Sequence, residues 1–236
     1  ILFISIFYLS FFGYETGRFN KQIKSEVKKS NDNLNLDFEK ISILLDLKKL
    51  VLFVKFINPT VYYHQVSIPL RYLRTDVDLE FLTKKKLVVK QVFLSTKYLN
   101  FNEIKPLLKK IGLKETNVKN INSGKFQIKD LKLDFDDNFK LKQNFSVAGD
   151  ISSANIKILD DYEIKNLIAN FLYEKKSFNL SKASWSLNEQ NAKDYKEFFD
   201  GEINIKQVKK AHDIDLKFKT KNASNIPRIA IMNYSF

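Results

Sequence analysis

The sequence predicts a mainly β fold: a long curved antiparallel β-meander, with an N-terminal membrane helix and one short helix near residues 103–111. Three observations predict it. From Asn33 onward, apolar and polar residues alternate at a period of two. A pattern of interrupted alternation returns about every 40 residues, as repeated β architectures do. The chain opens on ILFISIFYLSFFGY, which carries no charge before Glu15.

That opening run is shorter than the ~20 residues that cross a bilayer. The chain starts at Ile1 inside the run and ends at Asn233-Tyr234-Ser235-Phe236 without a polar tail, so it reads as part of a longer protein. The run is therefore expected to be the end of a membrane helix. Phe11, Phe12 and Tyr14 close it, and aromatics prefer the membrane interface, which favours an uncleaved anchor over a signal peptide. Arg18, Lys21, Lys24, Lys28 and Lys29 follow. Phe19, Ile23 and Val27 recur every fourth residue, which predicts a short amphipathic helix from about 18 to 29. Its five cations suit lipid headgroups.

The repeat comes next. Apolar residues stand at i, i+2, i+5 and i+7, so two alternating halves are joined by one extra residue. This is the sequence form of a β-bulge. The copies are Leu36-Phe38/Ile41-Ile43, Leu87-Val89/Val92-Leu94, Phe126-Ile128/Leu131-Leu133 and Tyr162-Ile164/Leu167-Ala169, with a partial copy at Ile203-Ile205/Val208. Phe135 extends the third. Other alternating runs lie between them: Leu50 to Phe56, Leu73 to Phe81, Phe139 to Val147, Phe178 to Leu187 and Ile214 to Phe218. Connectors such as Asn58-Pro59 and Asp136-Asp137-Asn138 are short turn signals, so neighbouring strands run antiparallel. One helix interrupts. Asn100 and Glu103 have capping-box spacing, Ile104, Leu107, Leu108 and Ile111 form a helical stripe, and Gly112 ends it. Pro106 belongs in the first turn, which places the start near Glu103.

Composition excludes most chemistry. The chain of 236 residues has no Cys, two His and six Gly. Disulfides and thiolate metal sites are excluded, and a multi-His metal site or a Ser-His centre is unsupported. No P-loop, dinucleotide fingerprint or nucleophile elbow occurs. Asp134-x-Asp136-x-Asn138 begins like a calcium loop, but Phe139 and Phe145 occupy the Gly and Glu positions. His64 reads as a strand residue, and His212 beside Asp213 as a turn neighbour. No enzyme activity, metal or cofactor is expected. The net charge is +13, but only four of the 40 basic residues are Arg. Lysines set between alternating apolar residues read as the wet face of a sheet, so no nucleic-acid partner is expected.

A one-sided apolar sheet must hide that side. Two outcomes stay open: an ordinary closed core, or an open trough whose occupants are acyl chains. The bulges and scarce glycines fit a bent, open sheet. The trough would be lined by Leu36, Phe38, Ile41, Ile43, Leu87, Val89, Val92, Leu94, Phe126, Ile128, Leu131, Leu133, Phe135, Ile164 and Leu167.

The order of anchor, basic connector and meander resembles the AsmA-like proteins of bacterial envelopes. The residues that carry it are ILFISIFYLSFFGY, LNLDFEKISILLDLKKLVLFVKF, DLEFLTKKKLVVKQVFLSTKYLNF and KFQIKDLKLDFDDNFKLKQNFSVAGDISSANIKILDDYEIKNL. The resemblance implies a repeating β-groove that carries lipid. It implies an anchor over 1–17, a connector over 18–33 and a groove over 34–236. It places the anchor in the bacterial inner membrane and the body in the periplasm, with phospholipid as cargo and envelope proteins as possible partners. The chain lacks the long C-terminal portion of that family. The alternative is an anchored structural β-domain, with a closed core and no lipid, that scaffolds other envelope proteins.

Overall fold

The computed structural model describes residues 2–48, 51–78, 89–110, 119–136, 140–142, 145–159, 162–174, 177–189, 196–208 and 211–220. The elements run α1 (Leu2–Phe11), β1 (Tyr14–Thr16), α2 (Asn20–Ser30), β2 (Leu34–Asp37), β3 (Lys40–Asp46), β4 (Val51–Ile57), β5 (Thr60–Tyr63), β6 (Val66–Asp78), β7 (Val89–Thr96) and β8 (Leu99–Asn100). Then come α3 (Phe101–Lys110), β9 (Ile121–Asp134), β10 (Ser146–Leu159), β11 (Tyr162–Glu174), β12 (Ser177–Glu189), β13 (Lys196–Val208) and β14 (Ala211–Thr220). The fold is mainly β, and one antiparallel meander sheet holds it together.

The sheet has fourteen strands in the order β1-β3-β4-β6-β7-β9-β10-β11-β12-β13-β14, with β2 on β5, β5 on β6, and β8 on β9 as side branches. Its two ends, β1 and β14, do not pair with each other among the described residues, so the sheet is open. Alternation explains the strands. β9 shows the rule: Leu131 and Leu133 take one face, and Asp130, Lys132 and Asp134 the other.

The repeat pattern marks real bulges on three strands. On β7, Asp76 faces Gln91 but Val77 faces Val89, so Lys90 is the extra residue. On β9, Ala148 faces Asp130 but Gly149 faces Ile128, which leaves Lys129 extra. On β11 the register slips between Lys165 and Ile168, and Asn166 takes φ +54. Two copies behave differently. Between Phe38 and Ile41 the chain leaves β2, paired with β5, and enters β3, paired with β1 and β4. That slip is a change of partner, not a bulge. The partial copy on β13 keeps unbroken register with β14 from Phe199 to Val208. Its irregularity lies on β12, where Lys182 has φ +51 between Leu180 and Ala183. Leu87 and residues 79–86 lie outside the described residues.

Bulges free backbone groups, and polar side chains take them. The backbone ladder between β7 and β9 ends at the Leu94–Leu131 pair, just before the bulge. There the Ile128 N–H donates to Thr96 Oγ1 (3.0 Å), Gln127 Nε2 donates to the Thr96 carbonyl (2.9 Å), and Ser95 Oγ donates to the Ile128 carbonyl (3.1 Å). On β11 the Asn166 N–H donates to Asn155 Oδ1 (3.0 Å), and Asn155 Nδ2 reaches Ser123 Oγ (2.9 Å). Buried backbone polar groups need such partners.

The helices depart from expectation in their bounds. α1 stops at Phe11, because Gly13 adopts φ +72 and turns the chain into β1, which pairs with Ile41–Ile43. A Cβ at Gly13 would stand 3.0 Å from Leu44 Cγ. Residues 14–16 therefore belong to the sheet edge and not to an anchor reaching 17. No helix among the described residues is long and apolar enough to cross a membrane. α3 starts at Phe101, ahead of the expected Glu103, and Asn100 Nδ2 meets Glu103 Oε1 at 2.8 Å. Its expected end, Ile111 and Gly112, lies outside the described residues.

Two local readings change and a third holds. His64 is not a strand residue: His64 (φ +48) and Gln65 (φ +69) form the tight turn of the β5–β6 hairpin, whose positive φ values match strand twist. Residues 139–147 do not form one strand, since β10 begins at Ser146 and Leu141 makes an isolated bridge with Phe135. Asp136 does flank a turn, with its N–H on the Lys140 carbonyl (2.9 Å). Residues 137–139 lie outside the described set.

Candidate functional site

The candidate site is the apolar face of the sheet. Directly opposed residues in an antiparallel pair share a face, so register alone traces its rows. One row runs Leu73, Leu94, Leu131, Val147, Tyr173 and Phe178. It crosses six strands without a charged residue. A second runs Ile128, Gly149, Phe171 and Leu180. A third joins Ile43, Val54, Thr75, Val92 and Leu133.

The rows stay continuous because the bulges fall between them. Without Lys129 as an extra residue, Ile128 and Leu131 would point to opposite faces. Each bulge shifts the phase once and restores the apolar side. Gly149 sits where two strands approach closely. A Cβ there would lie 2.0 Å from the Gln127 carbonyl oxygen and 2.6 Å from Phe171 Cζ, so the Phe171 ring covers the glycine. Small residues collect beside the bulges: Ala154, Ala169 and Ala183 are each 1% exposed, and with Leu167 they form a compact cluster. Gly124 (φ +138) lies against Ala154, 2.6 Å from its Cα by the same measure.

Burial divides the expected lining. Val89, Val92, Leu94, Phe126, Ile128, Leu131, Leu133, Phe135, Ile164 and Ile43 are half-buried. Leu36 (9% exposed), Phe38 (4%) and Ile41 (3%) are buried in a core with Phe56, Leu70 and Leu73. α2 covers that core with Ile23 and Val27. Leu167 is buried in the alanine cluster. α3 lies over the middle of the sheet: the Phe101 ring stands 5.2 Å from Phe126 and packs on the alanine cluster, and Ile104 is 3% exposed. Among the described residues, no second layer of strands covers the face from β9 to β12.

The basic residues after α1 have mixed surroundings. Lys24 Nζ lies 2.5 Å from Asp37 Oδ1 and 5.3 Å from the Phe38 ring centre. Its ammonium hydrogen-bonds the Asp37 carboxylate and holds that group below its ordinary pKa. Lys29 pairs with Glu26 (2.8 Å). Arg18, Lys21 and Lys28 are exposed. Nearby, Lys40 pairs with Glu15, and that hydrogen bond raises the lysine pKa.

The opposite face is polar. Asp134 accepts from Gln91 Nε2 (2.7 Å), and Lys129 pairs with Asp150 (2.7 Å). A shallow depression of about 570 Å³ opens there, lined by Arg71, Tyr72, Arg74, Phe93, Ser95, Lys129 and Asp130. The Arg74 guanidinium sits between the Phe53 and Phe93 rings at 4.5 and 4.3 Å, and its Nε lies 3.1 Å from Asp76. Three cations meet three carboxylates in and around it, so it selects no anion. Among the described residues, no group of three or more His, Asp or Glu side chains forms a metal site.

Comparison with protein families, curated proteins and solved structures finds no match to this chain.

Sequence reasoning missed part of this face. Phe171, Tyr173, Phe178 and Leu180 continue the rows, and their alternation was visible. The cover by α2 was not, because the stripe of Ile23 and Val27 fits a sheet as well as a bilayer.

Proposed function

We propose that the chain binds lipid along its apolar face and conducts it there without covalent chemistry. The observation that carries this reading is the half-buried, uncharged pair of rows from β7 to β12. Acyl chains lie along such rows while headgroups stay in water. Successive positions are alike, so movement between them meets small barriers. The opening run of apolar residues serves as an inner-membrane anchor, with the body in the periplasm and phospholipid as the cargo. The AsmA-like resemblance supports this assignment, and support of outer-membrane lipid transport or assembly is the corresponding role. The exposed aromatics Phe7, Tyr8, Phe11 and Phe12 suit a membrane interface. Arg18, Lys21, Lys28 and Lys29 supply the adjacent headgroup contacts.

A photoreactive residue at Leu133 tests the reading. In protein extracted from membranes, crosslinks to phospholipid are expected, with the same lipid found by mass spectrometry. Crosslinks confined to the protein would overturn it. Leu133→Lys is expected to abolish lipid binding by placing an unpaired charge in the rows. Asn179→Lys, on the polar face, is expected to leave binding unchanged.

One observation favours the second reading, an anchored scaffold with a closed core. At the β2–β6 end the apolar residues are already sealed. That reading predicts no lipid at any row.

A further inference from the structure

We propose that α2 is a releasable cover over the β2–β6 end of the apolar face, and that an anionic phospholipid surface is what lifts it. The inference rests on the lipid-carrying reading and adds its regulation.

Three observations carry it. First, α2 is lightly attached. None of its own residues is buried, and its apolar contact is Ile23 and Val27 on the core of Leu36, Phe38, Ile41, Phe56, Leu70 and Leu73. Its polar attachments are the Lys24–Asp37 pair, with side chains 39% and 62% exposed, and Asn20 Nδ2 on the Glu39 carbonyl (2.6 Å). Water reaches both. Second, the outer side of α2 and its approach carries exposed Arg18, Lys21, Lys28 and Lys29 against Glu26 and Asp32, a net positive surface. Third, α1 and the adjoining Phe12 place four exposed aromatic rings in the same region of the chain, ahead of Gly13 and β1.

One apolar stripe cannot face the sheet and a bilayer at once. On leaving the core, Ile23 and Val27 exchange one apolar environment for another, so α2 gives up little hydrophobic burial. The lysines then gain attraction to an anionic surface, which falls off within a Debye length. A neutral surface offers no such gain. Once uncovered, Leu36, Phe38 and Ile41 join the rows: Ile41 faces Phe56, and Leu73 already leads to Leu94 and Leu131. The face thereby gains an open end only where the surface beside α2 is anionic, and α2 keeps it sealed beside a neutral one.

The test uses the full chain with a photoreactive phenylalanine at position 38. Without vesicles, and with phosphatidylcholine vesicles, Phe38 is expected to crosslink to the α2 peptide. With vesicles of equal parts phosphatidylcholine and phosphatidylglycerol, the adduct is expected to shift several-fold toward lipid. Roughly 1 M salt, which shortens the Debye length to about 3 Å, is expected to reverse the shift. The triple variant Lys21→Glu, Lys28→Glu, Lys29→Glu is expected to abolish it. Because position 38 is buried, Val27→Cys carrying a polarity-sensitive dye gives a second measurement in this cysteine-free chain. Spin-labelled lipid is expected to quench that dye only in anionic vesicles. Phe38 adducts that stay on α2, or a dye unquenched in every vesicle, would overturn the cover. The Leu133 crosslink separates the two failures: lipid at Leu133 without release of α2 sinks only this inference, and no lipid at Leu133 sinks the lipid-carrying reading as well.

Discussion

The two ends of the sheet solve the same problem differently. From β2 to β6 a core of large apolar residues is sealed: Phe38, Ile41, Leu70 and Leu73 are each under 8% exposed, and the Phe38 and Phe56 rings meet edge to face at 4.9 Å. From β9 to β12 the buried apolar positions are Ala154, Ala169 and Ala183 with the single larger residue Leu167, while Phe171, Tyr173, Phe178 and Leu180 stay half-buried. The first end has a core closed by a helix. The second has a face whose large side chains keep contact with the surroundings. An amphipathic sheet does not dictate whether it is covered; the elements laid over it do.

The largest expected effect breaks the sealed end. Phe38→Ala is expected to cost about 3–5 kcal/mol, as truncation of a buried aromatic does. Phe178→Ala, on the open rows, is expected to cost only about 1–2 kcal/mol, since its ring already meets solvent. Urea denaturation of both variants measures the contrast, and equal losses would erase the distinction between the two ends.

Gly149→Val attacks the open end through its backbone. The added carbons run into the Gln127 carbonyl and the Phe171 ring. A loss of about 1–3 kcal/mol is expected from overpacking. Phe171→Leu in the same chain relieves the ring contact but not the carbonyl, so thermal unfolding is expected to recover only in part.

Between the two ends, Thr96→Val removes the acceptor for the Ile128 N–H and keeps the shape. About 1–2 kcal/mol is expected to be lost, because that amide is left unsatisfied beside the β9 bulge. Hydrogen exchange at Ile128 is expected to quicken more than at Leu131, where backbone pairing with Leu94 persists.

The smallest effect concerns the cover. Lys24 holds the Asp37 pKa below its ordinary value of 3.8. A lowered acid contributes attachment that is complete above that ordinary value and is lost as pH falls through the lowered one. Protection of α2 amides relative to their intrinsic exchange is therefore expected to be constant near neutrality and to fall only in strong acid. Asp37→Asn is expected to remove that acid dependence. A variant that keeps it would assign the acid dependence to a carboxylate other than Asp37.

Particular residues show what could be read in advance. The slips at Lys90, Lys129 and Asn166 were legible, because within one continuous strand a period of two admits one extra residue as a bulge. The slip at Glu39 had the same pattern and a different cause. Alternation records which face a residue takes and not which strand it pairs with. His64 followed the alternation yet became a turn residue, since hairpin closure between Tyr63 and Val66 outweighed its own backbone preference.

The sequence by itself determined the β class, the antiparallel order, three of the bulges and the apolar side of most strands. All of these follow from side-chain period and turn chemistry within a few residues. Tertiary structure alone decided that Gly13 turns α1 into the sheet edge, that Ile23 and Val27 close one end, and that the other end stays open. Each of those depends on which distant surface a stripe meets, and an apolar stripe carries no record of its partner.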